Sequence, residues 1–179
     1  NKAIGKALKG AAIGTLKLAL QPYGALLTVV QIAGKQSQQA LLKPIDFQAN
    51  RTILGPENLD YLGKLSKLLA DRPNMRINVC GVATEADRAI RIAAAEAARQ
   101  KKLAQQPKPE GKAVSAPSKA EPLPPILIPD EQLLPLAKDR ADIVKRQLVN
   151  MGIEPGRLFT CNPELDKSAE AKPRVDLLL

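Results

Sequence analysis

The sequence predicts an α/β (α+β) chain: a mixed β-sheet packed on helices and preceded by a basic amphipathic helical arm. Three observations predict it. Segments of helical and strand period alternate after residue 43, in the order β, α, β, α, insertion, α, β, β, and consecutive strands at the end argue for a mixed sheet. The 179 residues suit one domain plus attachments, enough for a sizeable core. Two Phe, two Tyr and no Trp leave that core to Leu, Ile, Val and Ala.

In chain order, "AIGKALKGAAIGTLKLAL" has helical period, with Ile4, Leu8, Ala11, Thr15, Leu18 and Ala19 on one side and Lys2, Lys6, Lys9 and Lys17 on the other. Pro22 bends or restarts the helix, and "YGALLTVVQIAG" continues as a second apolar piece to Gly34. The uncharged stretch Leu18–Gly34 is 17 residues long and holds Gln21, Pro22, Gly24, Thr28 and Gln31. It reads as interfacial or protein-packed, since a spanning helix needs about 20 mostly apolar residues. Residues 1–43 thus form the arm and 44–179 the domain.

"KPIDFQAN" alternates Ile45, Phe47 and Ala49 as a strand. Gly55-Pro56-Glu57 opens a helix, with Pro at its first position and Glu complementing the dipole; Leu59, Leu62, Leu65 and Leu69 are its buried stripe, and Pro73 ends it. "MRINVCGV" is a second strand closing at Gly81, and "TEADRAIRIAAAEAARQKKLAQQ" an Ala-rich helix. Seven of the 15 prolines fall between Pro107 and Pro129, in a solvated, polyproline-like insertion. Asp130 is placed to cap the next helix, whose stripe is Leu133, Leu136, Val144, Leu148 and Met151. Strands follow at about 157–161 and 173–179. Arg140 lies on that apolar stripe. Its guanidinium must pair internally with Asp46, Glu85 or Asp87, bind strand-end carbonyls, snorkel to solvent, or face a cleft and await an anionic ligand.

Net charge is +9, and the first acid is Asp46, after Lys2, Lys6, Lys9, Lys17, Lys35 and Lys43. A basic arm on a near-neutral domain suits an anionic partner surface. Nucleic acid is not the expected partner, because the arm lacks Arg and the chain has few aromatics to stack on bases. Lys interleaved with an apolar face suits lipid headgroups or acidic proteins. With no His, no nucleophile elbow and no phosphate-cradling loop, no enzyme activity, metal or cofactor is expected. Cys80 and Cys161 lie near the ends of predicted strands and read as two small buried hydrophobes in preference to a disulfide. The chain starts without Met and reads as a piece of something longer, with no secretory signal or lipidation motif in it.

"IDFQANRTILGPENLDYLGKLSKLLADRPNMRINVCGVATEADR", "LAKDRADIVKRQLVNMGIEPGRLF" and the terminal "RVDLLL" together resemble an OmpA-like C-terminal domain. With "ALQPYGALL" before them and the insertion after "GVATEADR", they resemble the end of large AsmA-like envelope proteins of Gram-negative bacteria. That resemblance implies a non-enzymatic, periplasmic, membrane-associated module with a role in intermembrane phospholipid transport or outer-envelope maintenance. Its partners would be membrane lipids or envelope proteins, with the arm lysines at the membrane. In peptidoglycan-binding OmpA-like domains, a helix Arg and the Asp of a G-x-T-D stretch grip the diaminopimelate of the stem peptide. Arg140 matches that Arg, whereas Gly81-Val82-Ala83-Thr84 puts Thr84 where the Asp belongs, leaving Glu85 or Asp87 to supply an anion. The resemblance therefore implies, as alternatives, a peptidoglycan anchor using Thr84, Asp87 and Arg140, or an assembly module docking partner proteins through the arm and the insertion.

Overall fold

A computed structural model describes residues 27–31, 38–105 and 124–179; Lys2, Lys6, Lys9 and Lys17 lie outside the described residues. Six strands make one sheet: β1 (Leu27–Gln31), β2 (Gln38–Asp46), β3 (Ile77–Thr84), β4 (Leu158–Thr160), β5 (Glu164–Asp166) and β6 (Arg174–Leu178). Their order is β1-β2-β6-β3-β4, with β5 also on β3. β1–β2, β2–β6 and β6–β3 are antiparallel, while β4 and β5 lie parallel to β3. The sheet is therefore mixed, and β6, from the end of the chain, sits between β2 and β3 from the first half. The halves on either side of the proline-rich insertion fold into one body, as expected.

Among the described residues the α-helices are α1 (Pro56–Asp71), α2 (Glu85–Ala104) and α3 (Leu134–Asn150). α1 begins with Pro at its first turn and buries Leu62, Leu65, Leu68 and Leu69; Leu59 of the expected stripe is exposed. α3 buries Leu136, Ala137, Arg140, Ala141, Val144 and Leu148. Leu62, Leu65, Val144 and Leu148 pack with Ile45, Ile77, Val79, Val175 and Leu177 from the sheet into one aliphatic core. Gly152 ends α3 with φ of +92°, a conformation glycine takes without a Cβ clash. At Gly81 the demand is closeness: a Cβ there would sit 1.8 Å from the Ala137 carbonyl oxygen, so β3 and α3 touch backbone to backbone.

Four expectations need correction. The apolar piece read as helical up to Gly34 contains β1, because Leu27–Gln31 finds an antiparallel partner in β2. β2 begins at Gln38, so it crosses the Lys43–Pro44 point where arm and domain were divided. Its register shifts between Leu42 and Ile45, where Pro44 has no N–H to give the ladder. Asp130 does not cap α3; a 3₁₀ turn (Asp130–Gln132) intervenes, and its carboxylate pairs with Arg88 and Lys167 instead.

The fourth correction concerns the cysteines. Cys80 and Cys161 form a disulfide, Cα to Cα 4.7 Å. Parallel pairing puts Val79 opposite Thr160, so the next residue on each strand meets its counterpart, and the Cys161 amide donates to the Val79 carbonyl at 3.1 Å. The bridge lies on the sheet face away from the core, which also carries Asn78, Arg174 and Asp176. There Arg174 pairs with Asp166 and Asp176, each at 3.1 Å.

Candidate functional site

Thr84 is the last residue of β3 and the N-cap of α2, in a capping-box arrangement with Asp87. An acid three residues into a helix reaches back to the exposed first amides and meets the positive end of the helix dipole. The Asp87 Oδ2 accordingly accepts the Thr84 amide at 2.9 Å. The same carboxylate turns towards α3, where Arg140 waits one layer below.

Asp87 and Arg140 are both 0% exposed. Arg140 Nη2 donates to Asp87 Oδ1 at 2.6 Å and Nη1 to Oδ2 at 3.0 Å, a bidentate pair. The remaining donors go to backbone carbonyls: Nε to Arg51 at 3.0 Å, Nη1 to Val82 at 3.3 Å and Nη2 to Gln48 at 3.2 Å. A guanidinium has five N–H groups, and all five are used. Its carbon also stands 5.6 Å from the Phe47 ring centroid. Of the open outcomes for Arg140, the structure takes two at once: the internal pair is with Asp87, and strand-end and loop carbonyls fill the rest. Asp46 and Glu85 are elsewhere; Glu85 binds Arg88.

Asp87 does as much for the loop 48–51. Asn50 has φ of +54°, which Asn tolerates better than most residues, and its amide donates to Asp87 Oδ1 at 2.6 Å. Its side-chain oxygen accepts from Arg91 Nε at 2.9 Å. Burial alone would push the Asp87 carboxyl up, but Arg140 and the Asn50 and Thr84 amides outweigh it and hold it below the usual carboxylate range. Thr84, Asp87 and Arg140 thus come together in the folded chain, which their spacing in the sequence could not show. They are closed within the protein and grip the 48–51 loop from beneath.

Above that loop lies an open groove of about 520 Å³. Phe47, Tyr61, Pro44 and Ile53 give it apolar walls, and Lys43, Arg51, Asp46 and Glu57 give it charges of both signs. The Tyr61 hydroxyl is buried without a hydrogen bond of normal geometry, and burial pushes its phenol well above the usual range, offset in part by the nearby Lys43 backbone. The sequence reading missed Arg51, Glu57 and Tyr61 as site residues. For Arg51 the signal was the run 48–53 between a strand and a Gly-Pro helix start, in which Arg51 is the one charge and is exposed.

Among the described residues no His, Cys, Asp or Glu side chains gather as a metal site, and no helix is long and apolar enough to cross a membrane.

No family model matches the sequence, and no curated protein matches it. Solved structures do. The OmpA-like domain of FopA1 from Francisella tularensis subsp. tularensis SCHU S4 is 12% identical over 86% of this chain and 93% of its own, with a TM-score of 0.48. A putative MotB-like protein from Desulfovibrio vulgaris is 18% identical over 97% of this chain and 90% of its own, TM-score 0.48. The C-terminal domain of Helicobacter pylori MotB is 16% identical over 76% and 83%, TM-score 0.44.

Proposed function

We propose that this domain is a non-enzymatic, OmpA-like periplasmic module that anchors to peptidoglycan. The observation that carries the reading is the groove over the loop 48–51. It offers cations (Lys43, Arg51) and carboxylates (Asp46, Glu57) around an apolar floor, on a loop fixed from below by Arg140 and Asp87. A stem peptide carries free carboxylates and an ammonium, which need a cation and an anion from the protein side by side.

In this reading Arg140 and Asp87 do not touch the ligand. With every guanidinium donor occupied, they act as positioning residues, and Arg51 takes the ligand carboxylate from the rim. The disulfide supports the compartment, since such bridges persist in oxidising surroundings such as the periplasm. No feature of the described residues favours the lipid-transport role that the AsmA-like resemblance implies.

Pelleting with purified sacculi tests the proposal. The wild-type chain should co-sediment, and Arg51→Ala should lose most of the bound fraction while keeping the wild-type unfolding midpoint. A wild-type chain that stays in the supernatant, or an Arg51→Ala/Glu57→Gln variant that pellets as well as wild type, defeats it.

A further inference from the structure

Residues 124–129, Pro-Pro-Ile-Leu-Ile-Pro, pass alongside α2 in neither helix nor strand. Proline fixes φ near −65°, and a residue preceding proline is confined to extended backbone. Pro124, Pro125, Ile128 and Pro129 are all so constrained, and Pro129 has φ −68° and ψ 159°, polyproline II values. Two arginines of α2 pin the segment by its carbonyls. Arg99 Nη1 donates to Pro124 at 2.9 Å, and Arg88 donates to Ile128 while pairing with Asp130. These contacts bind backbone; Ile128 packs on Ala83, Leu133 and Ala137, while Pro124, Pro125 and Leu127 stay exposed. Leu127 is 82% exposed, more than any other large apolar side chain among the described residues. Pro124 is exposed too, and with three residues per turn it shares a face with Leu127.

We propose that the ridge Pro124–Leu127 docks a second protein through an aromatic-lined groove of the kind that reads polyproline II helices. The extended form is already held by Arg88 and Arg99, so binding loses little entropy in ordering it. Prolines at 124, 125 and 129 lack the N–H groups that strand addition needs, which leaves side-chain recognition. Another copy of this chain is a poorer host. It has four aromatic residues in all; Phe47 is buried, the Tyr61 hydroxyl is buried, and Phe159 on β4 is half-exposed. The ridge is separate from the groove at 43–61, so this inference stands apart from peptidoglycan binding.

The test places a photo-activatable amino acid at position 127 of the full chain, in the cells that make it, with the same residue at 53 as control. Expected is an adduct at 127, absent at 53, to a different protein, with the linked peptide on a Trp- or Tyr-rich surface. It should fall to background in a Pro124→Ala/Pro125→Ala background whose unfolding midpoint and sacculus pelleting match the parent. No adduct at 127, an adduct to lipid or to residues 43–61 of another copy, linkage to a surface without aromatics, or an adduct that survives the proline changes overturns the proposal.

Discussion

Removing the Arg140 side chain should cost this domain a large part of its stability. Arg140→Ala leaves the Asp87 carboxylate buried opposite a void. Breaking one side of a buried pair costs about 3–5 kcal/mol. Three carbonyls also lose their donor. Those of Gln48 and Arg51 belong to exposed residues and can turn to water, while Val82 is buried and adds about 1 kcal/mol or more. The sum, about 4–6 kcal/mol, stands against a typical total of about 5–15. Urea unfolding reads it directly: with a slope of about 2 kcal/mol per molar, the midpoint should fall by about 2–3 M. Arg140→Lys keeps the charge but offers three donors in place of five, so its loss should be smaller. Replacing both partners, as Arg140→Met/Asp87→Leu, should not restore wild-type stability, because the Asn50 and Thr84 amides then lose their acceptor. The pH dependence has a definite sign. Asp87 is held below its unfolded value, about 3.9, so the pair's contribution is full above that pH and is lost as pH falls through the folded value. The gap between wild type and Arg140→Ala should therefore be widest near pH 6–7 and narrow below about pH 4. An Arg140→Ala midpoint equivalent to less than about 1 kcal/mol below wild type at neutral pH, or a gap that widens on acidification, refutes the account.

Further outcomes follow from other contacts. Gly81→Ala drives a Cβ into the Ala137 carbonyl and should cost at least about 2 kcal/mol in the same urea assay. Cys80→Ala/Cys161→Ala opens a loop spanning 81 residues and should destabilise by about 2–5 kcal/mol, matched by wild type under reducing conditions. Arg157→Ala strips donors from the carbonyls of Leu69, Arg72 and Met75 at the end of α1, and should cost about 1–3 kcal/mol with sacculus pelleting unchanged. Leu127→Asp should leave the unfolding midpoint within about 0.5 kcal/mol of wild type, because that side chain buries little.

Much of the fold is legible in the sequence where local signals are strong. Pro56 and Pro73 bracket α1, Gly152 marks the end of α3, and alternating Ile77 and Val79 announce β3. Arg140 on an apolar stripe announces a guanidinium in need of an outlet, and Asp87 stands among the three acids named for one of its four outcomes. What could not be read depends on neighbours distant in sequence. Leu27–Gln31 is apolar enough for helix or strand, and only β2 beside it decides. Three-residue β5 has no period to detect, and it exists because β3 offers it an edge. The cysteines carry no sign of pairing until parallel register sets Cys161 next to Cys80. The groove escaped for the same reason: its charges come from a strand end, a loop and a helix start that only the folded chain assembles.

The bridge between Cys80 and Cys161 closes the backbone into a ring, and the proline-rich stretch belongs to that ring. A protease that cuts between residues 107 and 123 would open the circle without dividing the molecule, and both arcs would stay joined until a reductant reached them. The closure cost of a loop grows only slowly with its length, so adding or removing residues between the two cysteines changes that cost little.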